Sequence, residues 1–366
     1  MYLMESPPGA RTVLNGKEVD YFCGTGYFGL QGHPEVIRAA CEAAQKYGIG
    51  SATSRSGFGN NPVLLEVERK AAAFFEKESA LYYVSGYLGN SILLQGLKDE
   101  YDIVFADEES HYSIMDGAAM AQKPVVTFAH LDASDLRKKL REKLGPGKRP
   151  LLICDGIFPV SGEISPLPDY ANVLEDFSPS IICIDDAHAT GVIREKGQGT
   201  FEYFNLSSKS YYFSGTLSKA VGGHGGIITG EEEFIERLRR LSPIPYSSSA
   251  VPTPAAAATA KALEILSAHP ELRRRLWENV FYAKRAFRKL GFELDETPVP
   301  IICLKIKKAE MKAIQEELFS KNIAVLYVPP RAYSSVPETG ALRIAIFSTH
   351  SQEQIERLVE EIKRLI

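Results

Sequence analysis

Two nearly continuous apolar runs, at residues 151–154 and 181–184, constrain the fold of this 366-residue chain more than any other feature. Such runs predict strands that are buried on both faces, as in a mainly parallel sheet. Strand and helix patterns alternate around them, which predicts an α/β domain with helices on both faces of the sheet. The other strands are predicted at 80–84, 103–106 and 125–128, and the helices at 64–77, 88–97, 114–121 and 134–144.

The pattern changes after residue 250 and indicates a second, smaller domain of α+β type. Helices are predicted at 255–267 and 270–290, then strands near 301–306, 323–328 and 341–347, and a closing helix at 352–366. Residues 1–32 are rich in glycine and aromatic residues, and the segment GTGYFGLQG within them predicts an irregular arm. We therefore predict an N-terminal arm over residues 1–35, a large domain over 36–250 and a small domain over 251–366.

The composition argues against several classes of partner. A formal net charge of −4 provides no basic surface for nucleic acid. The five cysteines are scattered without a CxxC pair, which fits a reducing compartment. The N-terminus lacks a secretory pattern, and no apolar run approaches the length that crosses a bilayer. We therefore predict a cytoplasmic protein that binds neither nucleic acid nor membrane.

Lys219 lies in the stretch YYFSGTLSKAVGGHGGIITG, in a glycine-rich turn between two predicted buried strands. A partly desolvated amine becomes a nucleophile that can form a Schiff base. Hydroxyl donors that suit a phosphate lie close by, at Ser214, Thr216 and Ser218. A structural lysine in a turn is the alternative interpretation.

Asp185 ends a predicted strand in ICIDDAHATG, and His188 follows three residues later. This pair is compatible with two metal ligands, with half of an acid–base relay, or with groups that hold a cofactor ring. A turn-capping Asp and a His bonded to the backbone are the structural alternative. No third ligand follows at metal spacing, so we predict no metal site. Together with Lys219, this Asp supplies the protein's half of pyridoxal 5′-phosphate (PLP) chemistry.

Other candidate residues also follow predicted strands. Ser85 and Gly86 offer a serine and main-chain N–H groups at a helix start, which suits a phosphate. His111 suits stacking on an aromatic ring, or it is a surface histidine. Arg343 lies in the apolar strand ALRIAIF, where a bound carboxylate or an interdomain salt bridge would compensate its charge.

Nine segments, in order from Tyr27 onward, together resemble the α-oxoamine synthases, a family of PLP-dependent enzymes. The resemblance implies fold type I, with a mainly parallel seven-stranded sheet, helices on both faces and a smaller α+β C-terminal domain. The segments are YFGLQGHPEV, GIGSATSRSGFG, SGYLGN, ADEESHYSIMDG, DGIFPVSGEISPL, IDDAHATGVI, GTLSKAVGGHGG, PYSSSAVPTPA and ALRIAIFSTHS.

The resemblance also implies catalytic roles. Lys219 would hold PLP covalently and later act as the base at the substrate Cα. Asp185 would pair with the pyridine N–H and keep the ring an electron sink. His188 would bond the ring O3′, and His111 would stack on the ring face.

The remaining implied roles concern the phosphate, the substrate and a second subunit. The phosphate would be held by Gly86, Tyr87 and Thr216, with Ser249 of the partner subunit. Arg343 would bind the amino acid carboxylate, and Ser335 would contact substrate. The loop at residues 48–59 would cross the interface of a homodimer.

The reaction implied by the resemblance condenses a small amino acid with an acyl thioester, releasing the thiol and CO2 and giving an α-aminoketone. The chain departs from the family pattern at Gly26, Pro159 and Ser161, where Asn, Ser and Asp are common. An arginine that many members carry upstream has no counterpart. These departures leave open another PLP reaction, such as transamination, decarboxylation or aldol-type cleavage, and a non-catalytic binding protein on the same fold.

Overall fold

The computed structural model describes residues 2–306, 310–330 and 336–366. The chain folds into two compact units. The first comprises Met1–Pro34, Pro159–Glu163 and His269–Ile366, and the second Glu35–Phe158 and Ile164–Ala268. The main limits between the two units fall after residues 34 and 268, whereas the domain limits predicted from the sequence fall after residues 35 and 250. In the ranges described, the structure contains no helix with the length and apolar character of a membrane span.

The N-terminal segment forms a hairpin of two antiparallel strands, β1 (Arg11–Leu14) and β2 (Lys17–Tyr21). Asn15 and Gly16 make its turn, with φ of 50° and 71°. Positive φ at both central residues is the conformation that Asn-Gly favours in two-residue hairpin turns. The hairpin was not predicted, and it precedes GTGYFGLQG, the segment predicted to be an irregular arm.

The second unit is built on one seven-stranded sheet, whose strand order is β3-β9-β8-β7-β6-β4-β5. Strand β9 is antiparallel to both of its neighbours, and the other pairs are parallel. The predicted mainly parallel sheet is confirmed. In chain order the elements are α1 (Pro34–Tyr47), α2 (Pro62–Phe74), β3 (Ser79–Tyr83), α3 (Gly89–Gly96), β4 (Ile103–Asp107), α4 (Tyr112–Met120), β5 (Val125–Phe128), α5 (Ala133–Lys143), β6 (Pro150–Asp155), α6 (Leu167–Glu175), β7 (Ile181–Asp185), α7 (Thr200–Tyr203), β8 (Tyr211–Thr216), β9 (Gly226–Gly230), α8 (Glu232–Leu241), α9 (Ile244–Ser247) and α10 (Thr253–Ala268).

The central strands form the core of this unit. Every residue of β6 and β7 is buried, as their continuous apolar runs predict. Apolar side chains of α3, α4 and α8 join the strands in one cluster, which includes Leu93, Ile114 and Leu238. Because β6, β7 and β8 run parallel, their carboxyl ends bring Asp155, Asp185 and Thr216 to one edge of the sheet.

A buried ion pair anchors the loop between α1 and α2. Arg55 Nη1 and Nη2 donate to the two carboxylate oxygens of Glu68 at 2.7 and 3.1 Å, and both side chains are buried. The same guanidinium donates to the carbonyl of Tyr82, whose N–H donates to Glu68. The loop is thereby fixed to strand β3.

We expect Glu68→Ala to lower the free energy of unfolding by about 3–5 kcal/mol, because it leaves the buried Arg55 charge without its carboxylate. Urea unfolding followed by circular dichroism measures the loss. Arg69→Ala is the control: it breaks an exposed pair with Glu66 and should leave the free energy of unfolding almost unchanged. Equal effects of the two variants would contradict the anchoring role.

The C-terminal part of the first unit is an α+β arrangement, as predicted. Strands β10 and β12 flank β13 antiparallel, and the short β11 instead pairs in parallel with β2 of the hairpin. The single strand predicted at 323–328 is thus two strands that join different sheets. The elements are α11 (Glu271–Arg288), β10 (Ile301–Leu304), α12 (Met311–Ser320), β11 (Ile323–Ala324), β12 (Leu326–Val328), β13 (Ala341–Ala345) and α13 (Gln352–Leu365).

Candidate active site

Lys219 lies in the turn between β8 and β9. Its Nζ is 3.0 Å from Nε2 of His188, which follows the carboxyl end of β7. The turn requires glycine at Gly225, which has φ of 84° and where a Cβ would lie 2.5 Å from the carbonyl oxygen of Tyr83. The predicted pair of amine and imidazole is therefore brought within hydrogen-bonding distance.

Asp185 is buried at the end of β7, and a set of donors orients its carboxylate. Asn90 Nδ2 donates to Oδ2 at 2.7 Å, and Ser113 Oγ lies 3.5 Å from the same oxygen. The N–H of Ala187 donates to Oδ1 at 3.0 Å. Asn90 is itself held by Ser214 Oγ, which donates to its Oδ1 at 3.1 Å. The carboxylate is thus fixed in direction by neighbouring elements.

His111 begins helix α4 and is held through both its ring and its main chain. Its Nδ1 accepts the N–H of Ser113 at 3.2 Å and lies 2.8 Å from the Ser113 hydroxyl. Its own N–H donates to Asp155 Oδ2 at 2.8 Å. Burial is the main cause that lowers the pKa of His111 below its ordinary value. A neutral, fixed imidazole suits contact with the face of an aromatic ring.

The predicted phosphate residues also converge. Gly86 opens a short turn after β3, and a Cβ there would lie 2.6 Å from Thr216 Oγ1. Ser218 Oγ lies 2.8 Å from the same Thr216 oxygen. The side chain of Tyr87 is exposed and its hydroxyl donates to Asp116, so its main chain is the part that lies in this turn. Glycine backbone and hydroxyls in contact form a cradle that suits a phosphate.

The other predicted site residues are Ser249, Ser335 and Arg343. Ser249 is exposed and forms an isolated antiparallel bridge with Ser54 of the same chain. Ser335 lies outside the described residues. Arg343 belongs to the first unit, where it is buried in β13 and its Nε and Nη1 donate to the carbonyls of Pro159 and Gly24 at 2.6 and 3.1 Å. Main-chain carbonyls orient the guanidinium but leave its charge for an anionic partner.

The three departures from the family pattern lie within the first unit. A Cβ at Gly26 would lie 2.7 Å from both terminal atoms of the Gln31 side chain, so Gln31 fills the space that a side chain at position 26 needs. Pro159 uses its carbonyl to orient Arg343, a role that does not depend on its side chain. Ser161 Oγ accepts the N–H of Glu163 within a turn, at 3.3 Å.

Asn90, Ser113 and Asp155 contact the candidate site residues but were assigned no role from the sequence. Asn90 is completely buried in helix α3, and a buried amide signals a polar partner. Asp155 ends β6 as Asp185 ends β7, so its position after a buried strand was the available signal.

Asp186, next to Asp185, provides a prediction about pH. It is buried, and it accepts the N–H and the hydroxyl of Thr200 at 2.9 and 2.7 Å. Burial raises its pKa to about 7. The folded protein therefore keeps this proton where the unfolded chain has lost it, and the associated stability is lost as pH rises through about 7.

We expect the melting temperature of the wild type to fall more than that of Asp186→Asn between about pH 5 and about pH 8. If scanning calorimetry showed the same change of melting temperature with pH in both proteins, this assignment would be contradicted.

The residues that converge here fit PLP. An amine lies beside an imidazole, a buried carboxylate ends the adjacent strand, and a neutral histidine and a phosphate cradle lie on neighbouring elements of the same unit. In the parts of the chain that the structure describes, no cluster of three or more His, Cys, Asp or Glu side chains is arranged to hold a metal.

Comparison with known proteins agrees with this chemistry. The model of the family "Aminotransferase class I and II" matches residues 23–362. An 8-amino-7-oxononanoate synthase of Thermoanaerobacter pseudethanolicus is 35% identical, covering 99% of this chain and 91% of the relative. A serine palmitoyltransferase of Bacteroides ovatus is 34% identical, with 98% and 90% covered.

A solved structure extends the comparison to the fold. A variant of the serine palmitoyltransferase of S. paucimobilis, determined with a bound PLP–myriocin aldimine, superposes with a TM-score of 0.92 at 26% identity, covering 100% of this chain and 92% of that one. The chain therefore belongs to the class I and II aminotransferase family and, within it, to the α-oxoamine synthases, which are PLP-dependent transferases of fold type I.

Proposed function

We propose that this enzyme condenses a small amino acid with an acyl thioester, releasing the thiol and CO2 and forming an α-aminoketone. The observation that carries the proposal is the contact between Lys219 Nζ and His188 Nε2, at the sheet edge where Asp185 ends β7. An amine, an imidazole and an oriented carboxylate are the groups that PLP chemistry at an amino acid Cα requires. The names of the relatives support the acyl-transfer class.

Each residue has a defined task in this proposal. PLP, when bound, supplies a conjugated ring that accepts the electron pair left at Cα. Lys219 holds the cofactor and then takes the Cα proton on its Nζ. His188 Nε2 lies 3.0 Å from the amine and would hydrogen-bond the ring oxygen, and Asp185 would keep the pyridine nitrogen protonated. His188 and Asp185 act by orientation and charge, which is where most transition-state stabilisation originates.

The phosphate and the substrate carboxylate engage separate residues. We assign the phosphate to the main chain of Gly86 and Tyr87 and the hydroxyl of Thr216, with Ser249 of the partner subunit. We assign the amino acid carboxylate to Arg343, because a guanidinium oriented by two carbonyls presents its remaining donors in a fixed plane. Ser335 is retained as a proposed substrate contact.

We further propose that the enzyme is a cytoplasmic homodimer. On the loop between α1 and α2, Phe58 is fully exposed and Ile49 is 70% exposed in the single chain. Large apolar side chains on an ordered loop are typical of a protein interface. The five cysteines are scattered along the chain without a CxxC pair, which supports a reducing compartment. Sedimentation velocity tests the dimer, and a monomer that retains PLP and full activity would refute it.

The experiment that tests the reaction is a two-stage screen of the PLP-loaded protein. Glycine, alanine and serine are first added while the visible absorbance of the cofactor is followed. Acyl-CoAs of increasing chain length are then added, and free thiol is measured with a chromogenic disulfide. We expect thiol and CO2 release in equal amounts for at least one pair, and none with Lys219→Ala.

The same screen separates the alternatives. An amino acid that changes the absorbance, without thiol release from any donor, favours another PLP reaction such as transamination, decarboxylation or C–C cleavage. The departures at Gly26, Pro159 and Ser161 motivate that second candidate. A protein whose absorbance no amino acid changes favours a non-catalytic role.

A further inference from the structure

Asp155 lies beside Asp185 and is not used in the proposed reaction. The two residues are directly opposite each other in the parallel pair β6–β7, so their side chains leave the sheet on the same face, with the strands about 4.8 Å apart. Both side chains are at least 95% buried. Two carboxyl groups in this arrangement repel each other strongly when both are charged.

The surroundings of the two carboxyl groups differ. Asp185 receives the amide of Asn90 and the N–H of Ala187 and has the hydroxyl of Ser113 nearby. Asp155 Oδ2 receives the main-chain N–H of His111. Donors stabilise a buried negative charge, and Asp185 has the richer set. One negative charge on the pair is therefore best placed on Asp185.

Asp155 holds the main chain of His111 through one hydrogen bond. His111 is the residue whose ring we assign to the cofactor face, and its main chain enters helix α4 at this bond. A protonated carboxyl group still has a carbonyl oxygen that accepts an N–H. Asp155 therefore meets this requirement without carrying a charge.

We propose that Asp155 is a positioning residue that acts as an uncharged carboxylic acid, holding the main chain of His111 without placing a second negative charge beside Asp185. The inference rests on the proposed function, because the orientation of His111 matters only when a cofactor ring lies against it. The two acids then have different tasks. Asp185 provides the negative charge, and Asp155 holds the main chain of His111 in position.

The electrostatics of the site agree with this assignment. The pKa of Asp155 is raised well above its ordinary value, chiefly by burial and next by the charge of Asp185. Asp107 raises it further, whereas the His111 N–H and the charge of Lys219 lower it. These are the groups that face Asp155 from β7, β4, the start of α4 and the β8–β9 turn.

Infrared spectroscopy of the full-length, PLP-loaded protein tests the protonation directly. The wild-type spectrum minus the Asp155→Asn spectrum should contain the C=O stretch of a protonated carboxylic acid at about pH 7. A carboxylate band in its place would overturn the proposal. This readout needs no turnover, so it gives an answer even where no substrate pair is accepted and the proposed reaction fails.

Two variants then test the positioning role. Asp155→Asn keeps an acceptor oxygen without charge, so we expect kcat/KM within about threefold of wild type and an unchanged pH profile of the cofactor absorbance. Asp155→Ala leaves the His111 N–H without its acceptor, and kcat/KM should fall about tenfold or more. An Asn variant as impaired as the Ala variant, or an Ala variant with wild-type activity, would refute the role. Where Asp155→Ala does not fold, the infrared band and the Asn variant's pH profile decide.

Discussion

Replacing Lys219 by alanine is expected to abolish covalent attachment of PLP and to lower turnover by about 10⁴-fold or more. The amine has two tasks in the proposed reaction: it holds the cofactor and it takes the Cα proton. Proton transfer by a positioned side chain alone contributes about 10²–10⁴-fold, and loss of the covalent link adds to this. Borohydride reduction followed by peptide mass spectrometry locates the attachment in the wild type, and steady-state kinetics measures the loss of turnover.

A matched control distinguishes the loss of the Lys219 amine from the general effect of replacing a lysine by alanine. Lys196 forms an ion pair with Glu76 at 2.7 Å, and both side chains are more than half exposed. We expect Lys196→Ala to retain cofactor colour and turnover, because exposed pairs of this kind contribute little. If Lys219→Ala kept both the attached cofactor and its activity, the assignment of this amine would be wrong.

The sheet was predictable because the relevant signals are local. The runs at residues 151–154 and 181–184 are apolar at every position. A strand that is buried on both faces needs this pattern, because each of its side chains lies in the core. The glycines after Lys219 likewise predicted a sharp turn, which Gly225 makes with positive φ. Residues that follow buried strands were therefore the correct place to look for a site.

The pairing of strands and the long-range side-chain contacts were not predictable, because they depend on residues that are far apart in sequence. The stretch at residues 323–328 is uniformly apolar and indicates one strand, yet β11 pairs with β2 and β12 with β13. Likewise, Asn90 meets Asp185 across 95 residues. A helix pattern shows which face of α3 is buried, but not which strand end that face meets.

Asp185→Asn is expected to lower kcat by about 10²–10³-fold while leaving the fold intact. An amide cannot supply the negative charge that keeps the pyridine nitrogen protonated, and removal of one preorganised electrostatic group costs about this much. The oriented donors make the effect specific: Asn90 and the N–H of Ala187 both point at this carboxylate. We expect PLP to remain attached to Lys219, with a changed pH dependence of its visible absorbance.

Asp186→Asn is the matched control, since it removes a buried acid from the adjacent position, whose partner is Thr200 and not the cofactor residues. The kcat of this control should lie within about threefold of the wild-type value, and its cofactor absorbance should be unchanged. If both variants lost activity equally, a general disturbance at the end of β7 would explain the loss. If Asp185→Asn were as active as wild type, the ring nitrogen would have another partner and the proposed electron sink would have to be reassigned.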